Sequence, residues 1–374
     1  MIKDKPVRVL HILTKLSFGG VQSVIMNYYR NLDRSKVQFD FVVQTEETGF
    51  FDEEVMNLGG SIFRVAPVHI NKKQFETDLF DILTIHPEFK IVHVHQNFLN
   101  ITALKIAKKA GVPVRISHSH SNYPTSSFIT EIKRKVFRKI ISIYATDFFA
   151  CSKASAKWLY GRRNTMSHKC KIIHNAIQTE NFKMNYTIRS KIRNELGVDG
   201  NLVLIHVGMI TDAKNHEYLL GIFKQVQVYN KKSSLLIVGD GENKDNLMRI
   251  SKEQGTSDSV FFLGKMENVN EYLMAADCFV FPSKFEGLGM ALIEAQINGL
   301  HCWSSDVVPK EADIFGEVTF LSNDLPPDVW AKSIISCDPK RYTRNYDSIS
   351  NSGYEIKKET DKLMEFYLTA FTIN

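Results

Sequence analysis

Cys278-Phe-Val-Phe-Pro-Ser-Lys-Phe-Glu-Gly-Leu-Gly-Met-Ala-Leu-Ile-Glu-Ala-Gln-Ile-Asn-Gly-Leu300 is a strand, a glycine loop and a helix in direct succession. Residues 278–281 are apolar and of strand length, Pro282 and Ser283 break them off, and Gly287 and Gly289 mark a tight loop. Met290, Leu292, Ile293 and Ile297 then follow helical spacing until Asn298-Gly299 stops them. A helix that opens straight out of such a loop presents unpaired backbone N–H groups and the positive end of its dipole, a ready site for phosphate. Glu286 and Glu294 flank that site. Carboxylates repel phosphate but accept hydrogen bonds from neutral hydroxyls, and a nucleotide sugar is a diphosphate between two hydroxylated rings. Taken singly, Glu294 also reads as an exposed helix carboxylate and Glu286 as a loop charge; the loop between them favours the binding reading.

The same strand-then-helix order runs along the whole chain. Apolar runs at 7–13, 39–43, 91–95 and 114–117 alternate with helical patterns near 21–32, 51–58 and 101–110. After a polar stretch at 185–200 the pattern restarts, with apolar runs at 202–207, 235–238, 260–263 and 278–281. Strands apolar enough to be buried on both faces imply parallel sheets wrapped by helices. The expected fold is α/β with two Rossmann-like domains, 1–182 and 183–350, followed by a C-terminal helix in 351–374. Leu363, Phe366, Tyr367 and Ala370 are helically spaced there, and the helix is expected to pack back across one or both domains. Open α/β sheets bind ligands at the carboxyl ends of their strands, so loops there, and a central cleft between two facing domains, are the expected sites.

Size and composition agree with two globular cores: 374 residues, 44% apolar and 24% charged. The net charge of +6 is mild; it suits an anionic ligand or membrane surface, and no concentrated basic stripe argues for nucleic acid. Cys151, Cys170, Cys278, Cys302 and Cys337 are scattered without metal-ligand spacing, which fits a reducing compartment and buried thiols. The run at 7–13 is far short of a membrane span, which needs about 20 residues. The expectation is a cytoplasmic protein, peripheral at most to the inner face of the cell membrane.

Glu286 and Glu294, separated by seven residues within FEGLGMALIEAQINGL, resemble the E-x7-E signature of the retaining GT-B glycosyltransferases of family 4, in the branch that builds bacterial exopolysaccharide and capsule. The resemblance covers most of the chain. It implies an N-terminal acceptor domain, a C-terminal nucleotide-sugar domain and transfer from a nucleotide sugar, UDP-linked, onto a glycan or polyprenyl-diphosphate-linked acceptor. It also implies that no metal or other cofactor takes part. By the same resemblance Glu286 is catalytic and contacts the donor sugar, Glu294 holds the ribose hydroxyls, and the backbone at Gly289, Met290 and Ala291 receives the diphosphate.

Lys214, in Gly208-Met-Ile-Thr-Asp-Ala-Lys-Asn-His216, matches a family lysine that grips the diphosphate. Met209 stands where the family carries arginine, so a forked, permanently charged phosphate partner is missing. Another cation compensates, donor affinity is lower, or activity is lost. Gly239, in a strand-to-turn segment, is placed near the nucleotide base by resemblance, with a plain turn as the competing reading. Gly19 and Gly20 follow the first strand and open a helix, where the family sets its diphosphate or acceptor; a plain turn again competes.

His118, in His118-Ser-His-Ser-Asn122, corresponds by resemblance to a histidine that positions the donor sugar, with His120 and Asn122 as further sugar or acceptor contacts. His93 and His95 alternate on an earlier strand, but no carboxylate or cysteine shares the histidine spacing, so no metal is expected. Residues 128–144 form a basic helical pattern in which Phe128, Ile132, Val136, Ile140 and Tyr144 recur every fourth residue among Lys133, Arg134, Lys135, Arg138 and Lys139. That pattern reads either as a solvated surface helix docked on the sheet or as one that also meets anionic lipid. Two rival functions remain at this point, a nucleotide-sugar epimerase on the same fold and a non-catalytic partner subunit. A nicotinamide dehydrogenase is disfavoured, because the first strand lacks a full GxGxxG.

Overall fold

The computed structural model describes residues 5–17, 19–120, 128–167, 169–336 and 341–373. They form two units, Met1–Ile177 with Gly353–Asn374, and Gln178–Ser352. The first unit is built on β1 (Val7–Leu13), β2 (Val37–Val43), β3 (Ile62–Arg64), β4 (Ile91–Val94), β5 (Val114–Ser119), β6 (Asp147–Ala150) and β7 (Cys170–Ile172). These lie parallel in the order β3-β2-β1-β4-β5-β6-β7. Alternation along the strands divides the core into two layers. Val9, Phe39, Phe41, Ile91 and Ile116 face the helices Gly20–Asn31 and Ile356–Ile373, while Leu10, Ile12, Val92 and Val94 face Lys72–Ile85 and Asn100–Lys109.

The terminal helix is therefore part of the first unit's core, where Ile356, Leu363 and Tyr367 are buried. Its start is tied to Ile177, which donates to the Tyr354 carbonyl and accepts from Ile356 N–H.

The second unit repeats the architecture with β8 (Leu202–Val207), β9 (Ser233–Val238), β10 (Val260–Gly264), β11 (Cys278–Phe281), β12 (His301–Ser305) and β13 (Thr319–Leu321). The order is β10-β9-β8-β11-β12-β13, again parallel throughout. Each sheet therefore reverses its strand order once, between β1 and β4 in the first and between β8 and β11 in the second. Such a reversal splays the loops on its two sides apart and opens a crevice at the strands' carboxyl ends.

One expectation needs correcting. The helix Phe128–Tyr144 does not dock through the whole every-fourth-residue stripe: Tyr144 packs against the core, but Val136 is 53% exposed. The inward side instead carries Ile141 and the guanidinium groups of Arg134 and Arg138. Arg134 lies 5.4 Å from the Trp158 ring and Arg138 donates to the Trp158 carbonyl at 2.9 Å. Long arginine stems cover apolar surface as aliphatic chains do, and a count of apolar residues alone misplaces the buried face. Lys133, Lys135, Val136, Phe137 and Lys139 are left outward. The side chains of Phe128 and Ile132 lie outside the described residues. Among the described residues no helix is long and apolar enough to cross a membrane.

Candidate active site

In the second unit the loops after β8 and β11 stand on the two sides of the strand-order reversal. They are joined by backbone, Lys284 N–H donating to the Ala213 carbonyl at 2.7 Å. The loop after β11 ends at Gly289, whose φ of 93° admits glycine readily and other residues poorly. The helix Met290–Ile297 starts there, and its first amides to bond back, Leu292 and Ile293, both reach the Gly289 carbonyl. The amides of Met290 and Ala291 precede any intrahelical acceptor and point out of the helix end. The anion-ready geometry read from residues 281–300 is present.

Lys214 and Glu286, 72 residues apart in sequence, meet at 2.5 Å with the ammonium 4.8 Å from the Phe281 ring centroid. Glu286 also accepts from Ser283 Oγ at 2.8 Å. The turn beneath it is fastened from three directions: Asn215 donates to the Pro282 carbonyl, Asn323 to the Pro282 and Ser283 carbonyls, and Ser305 to the Ser283 carbonyl. Asn215 is in the left-handed conformation at φ 59°, which turns its side chain onto this loop. Ser283, Asn215, Asn323 and Ser305 escaped the sequence reading. Ser283 could have been suspected from its place three residues before Glu286, whereas Asn323 is some 40 residues away and carries no local signal.

Glu294 is half-buried in the helix, and burial pushes its carboxyl up to about 7. A carboxyl poised near neutrality on the glycine-capped helix is a candidate functional group. Met209 is 70% exposed at the start of the β8 loop, so no core packing explains it. Gly239, at the end of β9, lies where three strand ends converge: it donates to the Gly264 carbonyl, Gly208 donates to the Val238 carbonyl, and a side chain on Gly239 would meet the Gly208 oxygen at 2.0 Å.

In the first unit the reversal falls between β1 and β4. A Cβ on Gly20 would meet nothing within 4 Å, so space for a ligand exists beside it, whereas Gly19 has the Gln22 side chain against it. His118 and His120 belong to a group of five imidazoles. His11 on β1, His93 and His95 on and after β4, and His118 and His120 on and after β5 share the sheet face that carries the terminal helix. Burial holds all five well below the usual histidine range, His11 and His120 at about 3. All five are therefore neutral imidazoles at ordinary pH. His118 is turned into the group, its Nδ1 3.0 Å from His93 Nε2. His11 went unnoticed in the sequence, because only the β1–β4 register sets it opposite His93. Asn122 lies outside the described residues.

Two parallel Rossmann-like sheets, the second with a glycine-capped helix end and two glutamates at its reversal, give the architecture of a GT-B glycosyltransferase. Comparison with known proteins bears this out. Residues 188–336 match the model of glycosyl transferases group 1 and residues 18–181 that of glycosyltransferase family 4. EpsF of Bacillus subtilis (strain 168), named as a glycosyltransferase, is 31% identical over 369 residues, 96% of each chain. The capsular polysaccharide biosynthesis glycosyltransferase CapH of Staphylococcus aureus is 23% identical over 370 residues, 97% of this chain and 99% of CapH. Among solved structures, HepE of Anabaena in complex with UDP superposes with a TM-score of 0.72 at 16% identity, covering 99% of this chain and 97% of HepE. A glycosyltransferase from Rickettsia africae reaches 0.78 at 13% identity, covering 99% of this chain and all of its own. The chain belongs to the glycosyltransferases of group 1 and family 4.

Proposed function

We propose that this glycosyltransferase moves a hexosyl or N-acetylhexosaminyl group, with retention, from a UDP-sugar onto a glycan carried by a polyprenyl diphosphate, in the assembly of bacterial cell-surface polysaccharide. One observation carries the reading: a helix end built for an anion is flanked by the Lys214–Glu286 pair on one side and by Glu294 on the other. A protein 23% identical over 379 residues, 97% of each chain, is the Escherichia coli UDP-Gal:alpha-D-GlcNAc-diphosphoundecaprenol alpha-1,3-galactosyltransferase, which supports the choice of donor and acceptor class.

In this mechanism the amides of Met290 and Ala291 and the Lys214 ammonium stabilise the diphosphate as it leaves. Lys214 has three N–H donors and reaches phosphate while keeping its bond to Glu286. Glu286 takes sugar hydroxyls and supports the oxocarbenium-like transition state, with His118, His120 and Asn122 as further sugar or acceptor contacts. Charge on the leaving group is met by lysine and backbone, so the transfer step needs no metal. The protein works in the cytoplasm, and the outward Lys133, Lys135 and Lys139 with Val136 and Phe137 form the face that meets anionic lipid headgroups.

The test is UDP release from UDP-sugars with and without a polyprenyl-diphosphate glycan. Release that depends on acceptor is expected. Interconversion of the sugars without acceptor would mean an epimerase. Donor binding without turnover on any acceptor would favour the partner-subunit reading, which the exposed Met209 supports.

The Glu294 carboxyl gives donor binding a pH dependence with a definite sign. Its pKa is raised to about 7, so the free protein holds it protonated below that value and ionised above it. Only the ionised form accepts from both ribose hydroxyls, so binding favours proton loss and affinity rises with pH. A tenfold gain in UDP-glucose affinity is expected from about pH 6 to about pH 8, with a flat profile for Glu294→Gln, by calorimetric titration. Met209→Arg restores the missing guanidinium at an exposed position, and UDP binding is expected to tighten about tenfold with no change in melting temperature.

A further inference from the structure

Among the five imidazoles, one hydrogen-bonded chain can be given a direction. Tyr367, on the terminal helix, has its hydroxyl 2.7 Å from His93 Nδ1, and His93 Nε2 lies 3.0 Å from His118 Nδ1. The two imidazole planes are 9° from parallel with centroids 5.1 Å apart, as an in-plane N–H···N bond between them requires. Phe149 packs perpendicular to both rings. All three groups of the chain are buried, so each hydrogen must be accounted for. A neutral imidazole offers one N–H and one lone pair, so the chain runs one way throughout. Tyr367 settles which. Burial holds its hydroxyl well above the usual tyrosine range, so it stays protonated, and among the described residues His93 is the one partner it has. The hydroxyl therefore donates to His93 Nδ1, His93 Nε2–H donates to His118 Nδ1, and the hydrogen of His118 sits on Nε2. Run backwards, the chain would leave the Tyr367 O–H without an acceptor, and an unmet buried donor lowers a population by roughly 5- to 150-fold.

We propose that Tyr367 and His93 are positioning residues that fix His118 as an N–H donor at Nε2, for a hydrogen-bond-accepting oxygen of the sugar. The role toward sugar rests on the contact assigned to His118 above, whereas the direction of the chain does not. His118 Nε2 is buried and has no partner, so its N–H is the one loose end of the chain. A sugar oxygen supplies the acceptor that the protein withholds. The consequence is chemical: at that nitrogen His118 gives a hydrogen bond to a hydroxyl or ring oxygen and cannot take a proton from one. It holds the sugar and leaves charge stabilisation to Lys214 and Glu286. The terminal helix, with Tyr367 274 residues beyond His93, thereby acts on the first unit's ligand contact through a single hydroxyl.

The experiment uses the full chain with 15N-labelled histidine, read by proton–nitrogen correlation spectra that separate the two neutral imidazole tautomers, together with steady-state transfer kinetics. His118→Phe assigns the His118 signals. The free wild-type protein is expected to hold His118 in the Nε2–H form, and Tyr367→Phe to show a mixture of both forms. In Tyr367→Phe kcat is expected to fall about tenfold. In a His118→Phe background the same substitution should cost no more than about twofold further, because no tautomer is left to fix. An Nδ1–H tautomer at His118 in the wild-type protein overturns the relay, with no need for any variant to fold or for any reaction. Equal losses from Tyr367→Phe with and without His118 overturn it too, since the hydroxyl would then serve only the packing of the helix. The expected tautomer alongside full transfer in His118→Phe leaves the direction of the chain standing and overturns the sugar contact instead.

Discussion

Glu286→Gln is expected to lower kcat by about 10²–10³-fold while donor affinity changes little, as measured by steady-state transfer kinetics and calorimetric titration. The substitution keeps the size of the side chain and one oxygen, so Ser283 Oγ retains an acceptor. It removes the charge that Lys214 meets at 2.5 Å and that the proposed mechanism sets against the transition state. In the proposed mechanism Lys214 still faces the leaving diphosphate, so ground-state binding is expected to survive. Ser283→Ala acts only on the orientation of the carboxylate and should cost roughly a tenth as much in rate. If Glu286→Gln transfers sugar at the wild-type rate, the carboxylate has no part in the chemistry, and the assignment of the loop after β11 fails with it.

Gly239→Ala is expected to unfold the second unit at a markedly lower temperature, with a loss of at least about 3–4 kcal/mol. Two penalties act together. The φ of 142° belongs to a region that residues with a Cβ rarely occupy, and the added carbon would sit 2.0 Å from the Gly208 carbonyl oxygen. Relief requires backbone movement, because Gly208 and Gly239 are each held by a strand-end hydrogen bond of 2.8–2.9 Å. In a unit of this size a loss of that order lowers the melting temperature by roughly 6–16 °C, readable by calorimetry. Gly20→Ala provides the contrast, since the new methyl meets nothing within 4 Å at the start of a helix. It should leave stability level or raise it by up to about 1 kcal/mol. A Gly239→Ala protein as stable as the wild type would mean that the three strand ends do not converge as described.

Much of this was open to reading from residues alone. The apolar runs at 7–13, 202–207 and 278–281 became β1, β8 and β11, because strands covered on both faces lack polar interruptions. The glycine loop before Met290 was equally plain, since only glycine suits the positive φ that launches the helix. The three-residue edge strands β3, β7 and β13 were missed, too few residues alternating to leave a pattern, and so were their neighbours β6 and β12. The helix at 128–144 was found but its buried face was only partly read, because arginine stems pack where Val136 was counted inward.

Sequence by itself determined the parallel α/β architecture, its two-fold repetition and the anion-ready helix end, all of which depend on neighbours within about twenty residues. Tertiary structure decided which distant side chains meet: Lys214 with Glu286, Asn323 under Ser283, and His11 opposite His93. Burial and backbone patterning are local and repeat along the chain, so they leave a periodic trace. The meeting of two particular polar groups depends on strand order and register, and parallel strands joined by crossover helices bring together residues whose separation in sequence says nothing of it.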